Sequence, residues 1–224
     1  MTGATSGIGQ AIARGFAGAG YRVLAVGMGT IPDAEDGLSY SALDVRDGAA
    51  VAAMIEPLDD LRVVVNAAGI IRRGDEFDPE VFAQVVDINL NGTMRVCVAA
   101  RAALARNRGA IINIASMLSY FGGGLVPGYA SSKGGVVQLT KSLAIAYAPE
   151  GVRVNALAPG WIATPLTTGL RDDMARSEAI LGRTPMARWG VPEDLIGPAL
   201  FLAGPAAGFV TGTVLNVDGG YAVM

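Results

Sequence analysis

The 224-residue chain contains no histidine. That absence excludes Ser-His-Asp and Cys-His nucleophilic catalysis and any His-ligated zinc. There is one cysteine, Cys97, so an internal disulfide and a cysteine metal cluster are excluded too, and no metal is expected. Cys97 lies in the largely apolar stretch Arg95 to Ala103 and reads as a buried thiol, which suits a reducing, cytoplasmic setting. No apolar run reaches the roughly 18 residues of a membrane span, and Met1-Thr2-Gly3 opens neither a basic nor an apolar leader. A basic excess is also lacking. Lys and Arg number 17 against 20 Asp and Glu, a net charge of −3, so neither nucleic acid nor membrane is expected as a partner.

What is present is apolar and glycine-rich: 51% hydrophobic residues and 31 glycines, enough for one ordinary domain with a real core. Short β-branched runs alternate with helical patterns. Arg22 to Gly27, Ser39 to Leu43, Leu61 to Asn66, Gly109 to Ile114, Val152 to Leu157 and Val214 to Val217 read as strands. Helices are predicted at about Gly7 to Ala19, Arg46 to Ile55, Pro79 to Arg106, Tyr129 to Ala148 and Pro192 to Leu202. This alternation implies an α/β fold, a Rossmann-like doubly wound parallel sheet with helices on both faces. Met28 to Leu38 is too short and too rich in Gly, Pro and Asp for a crossover helix and is expected to be a loop. Residues 159–191, with a helical pattern from Leu170 to Leu181, are the candidate substrate lid of a single domain spanning 1–224.

Thr2-Gly3-Ala4-Thr5-Ser6-Gly7-Ile8-Gly9 opens the first helical pattern. Glycine lets backbone approach a pyrophosphate that faces a helix N-terminus, although glycines also serve plain turns. Such a loop normally follows a strand, and that first strand is missing here, so the natural chain is expected to start several residues earlier. Asn66-Ala67-Ala68-Gly69 ends a strand at the edge where open α/β sheets bind ligands. Asp44 could accept a bond from an adenine amino group or cap a helix. The acidic residue usual at a NAD ribose is replaced by Gly27-Met28. Yet no Lys or Arg lies from Val23 to Val45 or in the glycine loop to neutralise a 2′-phosphate, which favours NAD.

Tyr129 and Lys133 stand at i and i+4, on one helix face. Solvated helix faces carry such pairs as well. In a chain without histidine, a phenol beside an ammonium is an available acid–base group, its pKa lowered from near 10 by the positive charge. Ser116 ends a strand and could hold a substrate oxygen. Asn89 sits inside a long predicted helix, a poor place for it, which points to a local distortion around a water that relays protons to Lys133.

These motifs, with Ser116 thirteen residues ahead of Tyr129, the YASSK run, Pro159-Gly160 followed by Thr164, and the Val217-Asp218-Gly219-Gly220 tail, resemble the short-chain dehydrogenase/reductase superfamily over essentially the whole chain. The resemblance implies an NAD(P)-dependent oxidoreductase acting on CH–OH, with Asn89, Ser116, Tyr129 and Lys133 catalytic. The cofactor would be lined by Gly3, Thr5, Ser6, Gly7, Ile8, Gly9, Asp44, Val45, Asn66, Ala67, Ala68, Gly69, Tyr129, Lys133, Pro159, Gly160, Ile162 and Thr164, and the assembly would be a homotetramer. IINIASMLSYFGG, VPGYASSK and Arg188-Trp189-Gly190 are similar to the branch of that family acting on gluconate and deoxygluconate. That implies a polyhydroxy carboxylate as substrate. Ser116, Met117 and Tyr129 would face it, with a carboxylate partner among Arg72, Arg73, Arg171, Arg176 and Arg183, since guanidinium forks suit carboxylates. The alternatives are a 3-oxoacyl-carrier-protein reductase, disfavoured by the lack of a basic cofactor pocket, and a non-catalytic nucleotide sensor on the same fold.

Overall fold

β-branched residues that are buried on both faces build the sheet. In the computed structural model, which describes residues 1–224, every strand pair is parallel. The elements run α1 (Gly7–Gly18), β1 (Val23–Gly27), β2 (Leu38–Ala42), α2 (Gly48–Ile55), β3 (Val63–Asn66), α3 (Pro79–Val86), α4 (Gly92–Asn107), β4 (Ala110–Ile114), α5 (Pro127–Tyr147), β5 (Arg153–Pro159), α6 (Thr168–Arg171), α7 (Met174–Gly182), α8 (Ile196–Ala203) and β6 (Val214–Val217). Side chains alternate between two cores. Val65, Ile112 and Leu157 pack with Ile12 and Phe16 of α1 and Leu202 of α8 on one face. Val64, Ile111 and Val154 pack with Val51 of α2, Leu104 of α4 and Leu143 of α5 on the other. Both faces being covered is why these strands read as continuous apolar runs. The Cys97 thiol is buried in the second core, where burial pushes its pKa up to about 12.

The strands form two blocks, β1-β2 and β3-β4-β5-β6. Thr2 joins them, bridging Val26 on one side and Asn66 on the other. Its N–H donates to Val65 O at 2.9 Å and its carbonyl accepts from Ala67 N–H at 3.2 Å. The sheet is therefore continuous only at its carboxyl edge. Below Thr2 a cleft of about 1110 Å³ separates β1 from β3, lined by Phe16, Val23, Leu24, Val63, Val64 and Val96. The Arg22–Asp60 ion pair spans its far end. At the near end the Met1 amino group donates to Leu24 O at 2.7 Å, and burial lowers its pKa to about 5.

The predicted helix from Pro79 to Arg106 is not continuous. α3 and α4 are separated by a π-turn over Asp87–Asn91. The distortion expected around Asn89 is thus present as one extra residue in the turn. α5 begins at Pro127, two residues before the predicted start, because proline is favoured in a first helical turn. Pro192–Leu195 is a 3₁₀ turn that leads into α8. Within residues 159–191, α7 is capped by Asp173, whose carboxylate accepts from Arg176 N–H.

Candidate active site

The glycine loop runs from Thr2 over the carboxyl ends of β1 and β3 into α1. A Cβ on Gly3 (φ +61°) would lie 2.5 Å from the Ala67 and Ala68 backbone, and one on Gly9 would lie 2.1 Å from Gly3 O. Only glycine permits this closeness, which stacks the loop on Ala67-Ala68 and leaves the α1 N-terminus open beside it. Ser6, the N-cap of α1, is exposed and its hydroxyl caps nothing, so a donor is left over for an anion. A Cβ on Gly7 would be 3.7 Å from Thr164 Cβ, so the segment after Pro159 closes over the same loop. Thr5 Oγ1 reaches Met28 O at 3.5 Å, at the end of β1. Gly160 packs against Asp218. These residues fit a dinucleotide: a backbone cradle that a Cβ would fill, next to a helix N-terminus.

Other expected cofactor residues face inward. Val45 and Ile162 bury their side chains in the two cores, so only their main chain is available. The Asn66 amide donates to Asn113 Oδ1 at 2.9 Å and to Cys97 Sγ at 3.3 Å inside the sheet. Asp44 is not free. Arg46 donates to it at 2.6 to 3.1 Å, which holds its carboxyl below the usual range.

The catalytic candidates converge where β4 ends. Ser116 starts a 3₁₀ turn, its Oγ accepting from Leu118 N–H at 3.1 Å. Ser119 Oγ donates to Lys133 O at 2.8 Å and receives Ser116 N–H at 3.2 Å, which fixes this turn to α5. Lys133 is 4% exposed and its Nζ donates to Ile114 O at 2.6 Å, 5.7 Å from the Tyr129 ring centroid. Asn89 is wholly buried. Its Oδ1 accepts Ile70 N–H at 2.8 Å, and its Nδ2 donates to Ile70 O and to Ser132 Oγ, both at 3.0 Å. The π-turn allows this reach, tying the chain after Gly69 to α5. A Cβ on Gly69 would lie 3.3 Å from Asn89 Oδ1 and 3.6 Å from Lys133 Nζ, so these three residues share one small space.

The electrostatics depart from the sequence reading. The Tyr129 phenol is not lowered by Lys133. Burial pushes its pKa up, the Ser116 hydroxyl opposes this, and the Glu76 charge adds to it. Lys133 is itself lowered to about 8 by burial, which disfavours its charged form. Lys133 Nζ is held on the Ile114 carbonyl, 5.7 Å from the Tyr129 ring centroid, and burial is the larger influence on the phenol.

The expected substrate residues separate. Met117 is buried in a third apolar cluster. Arg176 pairs with Asp173 at 3.1 Å. Arg171 is exposed, its one polar contact Thr168 Oγ1 at 3.5 Å. Arg183 lies over the Phe121 and Tyr221 rings, 4.7 and 4.4 Å from their centroids. Arg72 and Arg73 are exposed without a carboxylate partner, on a turn joined to α5. The joint is Glu76, which sequence reasoning missed; its partner Tyr129 is 53 residues away and no local pattern marks it.

With this geometry in hand, known proteins compare as follows. A family model described as "Enoyl-(Acyl carrier protein) reductase" matches residues 3–222. A 2-dehydro-3-deoxy-D-gluconate 5-dehydrogenase of Pseudoalteromonas atlantica is 40% identical, covering 99% of this chain and 94% of its own. A galactitol 2-dehydrogenase (L-tagatose-forming) of Cereibacter sphaeroides is 41% identical over 100% and 94%. A gluconate 5-dehydrogenase of Burkholderia cenocepacia, solved with NADP and tartrate, is 35% identical, with a TM-score of 0.91 over 100% and 94% of the two chains. The chain belongs to the short-chain dehydrogenase/reductase family. It is an NAD(P)-dependent oxidoreductase of CH–OH groups. No helix is long and apolar enough to cross a membrane.

Proposed function

We propose that the enzyme interconverts a secondary hydroxyl and a ketone on a sugar acid of the gluconate or deoxygluconate type. The observation that carries this reading is the meeting of Tyr129, Ser116 and Lys133 at the end of β4, beside the glycine cradle. A nicotinamide cofactor held by the Gly3, Gly7 and Gly9 cradle at the α1 N-terminus would supply hydride chemistry there. Tyr129 Oη exchanges the proton with the substrate oxygen, and Ser116 Oγ holds that oxygen. Lys133 is held in place by Ile114 O and Asn89 by Ile70, both against Gly69. A phenol whose pKa is raised stays protonated at neutral pH, the form that ketone reduction draws on. Oxidation requires that proton to leave first, so its rate rises with pH.

Arg72 and Arg73, unpaired and carried on the turn joined to Tyr129, are the favoured carboxylate partners, and residues 159–191 the lid. We favour NAD over NADP. Met28, which follows β1, carries no charge, and Arg46, the next guanidinium along the chain past β2, is occupied by Asp44. The exposed apolar residues Met94 and Val98 on α4 and Ile145 on α5 support a homotetramer. The galactitol relative favours a second reading, a neutral polyol as substrate.

A panel of gluconate, 2-dehydro-3-deoxygluconate, galactitol and 3-oxoacyl thioesters, with NAD and NADP, tests all of this at the nicotinamide absorbance band. Turnover of the sugar acids with NAD is expected. Turnover of galactitol alone, or of thioesters alone, overturns the substrate, and a clear preference for NADP overturns the cofactor choice.

A further inference from the structure

Helix α5 carries Tyr129 and Lys133, yet its N-cap, Val126, has no side chain that can accept a hydrogen bond. A helix start leaves four N–H groups without partners in the helix, and an acceptor with negative charge there is favourable. The acceptor comes from elsewhere in the chain. Glu76 is 1% exposed, and no Arg or Lys lies within ion-pair distance of it. Its Oε2 accepts the Tyr129 N–H at 2.7 Å and its Oε1 accepts the Arg72 N–H at 2.8 Å. Gly74, which precedes Glu76 with φ +89°, donates to Leu125 O at 2.8 Å, a second tie between the same two segments. A Cβ on Gly128 would sit 3.3 Å from Glu76 Oε2, so the helix start is glycine where the carboxylate approaches.

A buried carboxylate without a counter-charge is costly, and two charge-assisted bonds to main-chain N–H groups offset that cost. Both bonds end at residues of the site. One is on the acid–base tyrosine and the other on the turn that presents Arg72 and Arg73. We infer that Glu76 is a positioning residue for the reaction: as a cap supplied in trans to α5, it fixes Tyr129 and the Arg72-Arg73 turn to each other, and so sets the spacing between proton transfer and carboxylate recognition. The arginine part rests on the proposed sugar-acid reading. The Tyr129 part does not.

Glu76→Gln tests it. The amide has one oxygen for two N–H donors and turns its own NH₂ toward the other, so one tie breaks at almost constant volume. The charged or titratable groups that face Tyr129 are Glu76 and Lys133, with the Ser116 hydroxyl beside them. Removing the Glu76 charge lets the phenol ionise at lower pH. This is read as the phenolate absorbance difference between the variant and its Tyr129→Phe partner, with no substrate present. Affinity for NADH should stay within about twofold while kcat falls by about 10²-fold, the loss expected from displacing a catalytic group by roughly an ångström. Glu76→Asp keeps the charge but not the reach, and should lower kcat while leaving the phenol titration near that of the parent. Unchanged kcat in both variants, at equal folded fraction, overturns the proposal. If the parent turns over no sugar acid, the substrate reading fails by itself, and the phenol titration still decides whether Glu76 acts on Tyr129.

Discussion

Lys133 Nζ donates to the carbonyl of Ile114 at 2.6 Å, at the last residue of β4. The bond ties α5 to the strand that delivers Ser116 two residues later. It also holds a nearly buried ammonium where few waters can solvate it.

The pH dependence of stability follows from that burial. The Lys133 pKa falls from 10.5 to about 8 in the folded protein. Between these values the unfolded chain binds more protons than the native one, so stability rises with pH from about 8 toward 10. Above 10 the raised pKa of Tyr129 works in the opposite sense, because the unfolded phenol ionises first. The Lys133 contribution is about 3 kcal/mol at most. Because the Cys97 thiol, raised to about 12, opposes this rise once its unfolded counterpart ionises near 9, urea midpoints should climb in the parent from about pH 8 to 9 and stay flat over that interval in Lys133→Met. A parallel rise in both proteins would assign the effect to other groups.

Asn89 is the side chain that joins the turn after Gly69 to α5. Asn89→Leu removes three hydrogen bonds and leaves the half-buried Ile70 N–H and carbonyl without their side-chain partner. A loss of about 2–4 kcal/mol is expected, together with a fall in kcat, since Gly69 and Lys133 lie against this amide. Chemical denaturation and steady-state rates on one preparation check both. A variant as stable and active as the parent would show that the π-turn holds itself.

The cleft between β1 and β3 gives a prediction of opposite sign. Thr2 faces Val26, so residues joined ahead of Met1 would run opposite Leu24, Val23 and Arg22. Four β-branched residues placed there bury apolar surface worth roughly 1.5–3 kcal/mol per side chain, less about 1–2 kcal/mol per residue for ordering. At roughly 2–4 °C per kcal/mol, Tm should rise by several degrees. An extension containing proline and aspartate should not raise it. Equal Tm for the two extensions would mean that the cleft accepts no strand.

Features set by local pattern were legible in the sequence. The runs VVVN and AIINI are strands because both sheet faces are covered, and the misfit of Asn89 in a helix foretold the π-turn. Features that depend on distant partners were not. Nothing near Glu76 marks it as the cap of a helix that starts 51 residues later. The alternation of Tyr129 and Lys133 suggested a phenol with lowered pKa, but the sign depended on burial and on where Nζ is held, and only the packed structure supplies those. Arg176 fits a substrate ligand by residue type, but Asp173, three residues before it, pairs with it. Asp44 differed from expectation for the same reason, with Arg46 two residues away.

The central claim is that Tyr129 exchanges the proton with the substrate oxygen. The most direct measurement is kcat for Tyr129→Phe against the parent, on the sugar acid that the parent turns over, with NADH affinity measured on the same samples. The account predicts affinity near that of the parent and kcat lower by about 10²–10⁴-fold. A phenylalanine variant that keeps the parent's kcat would contradict it.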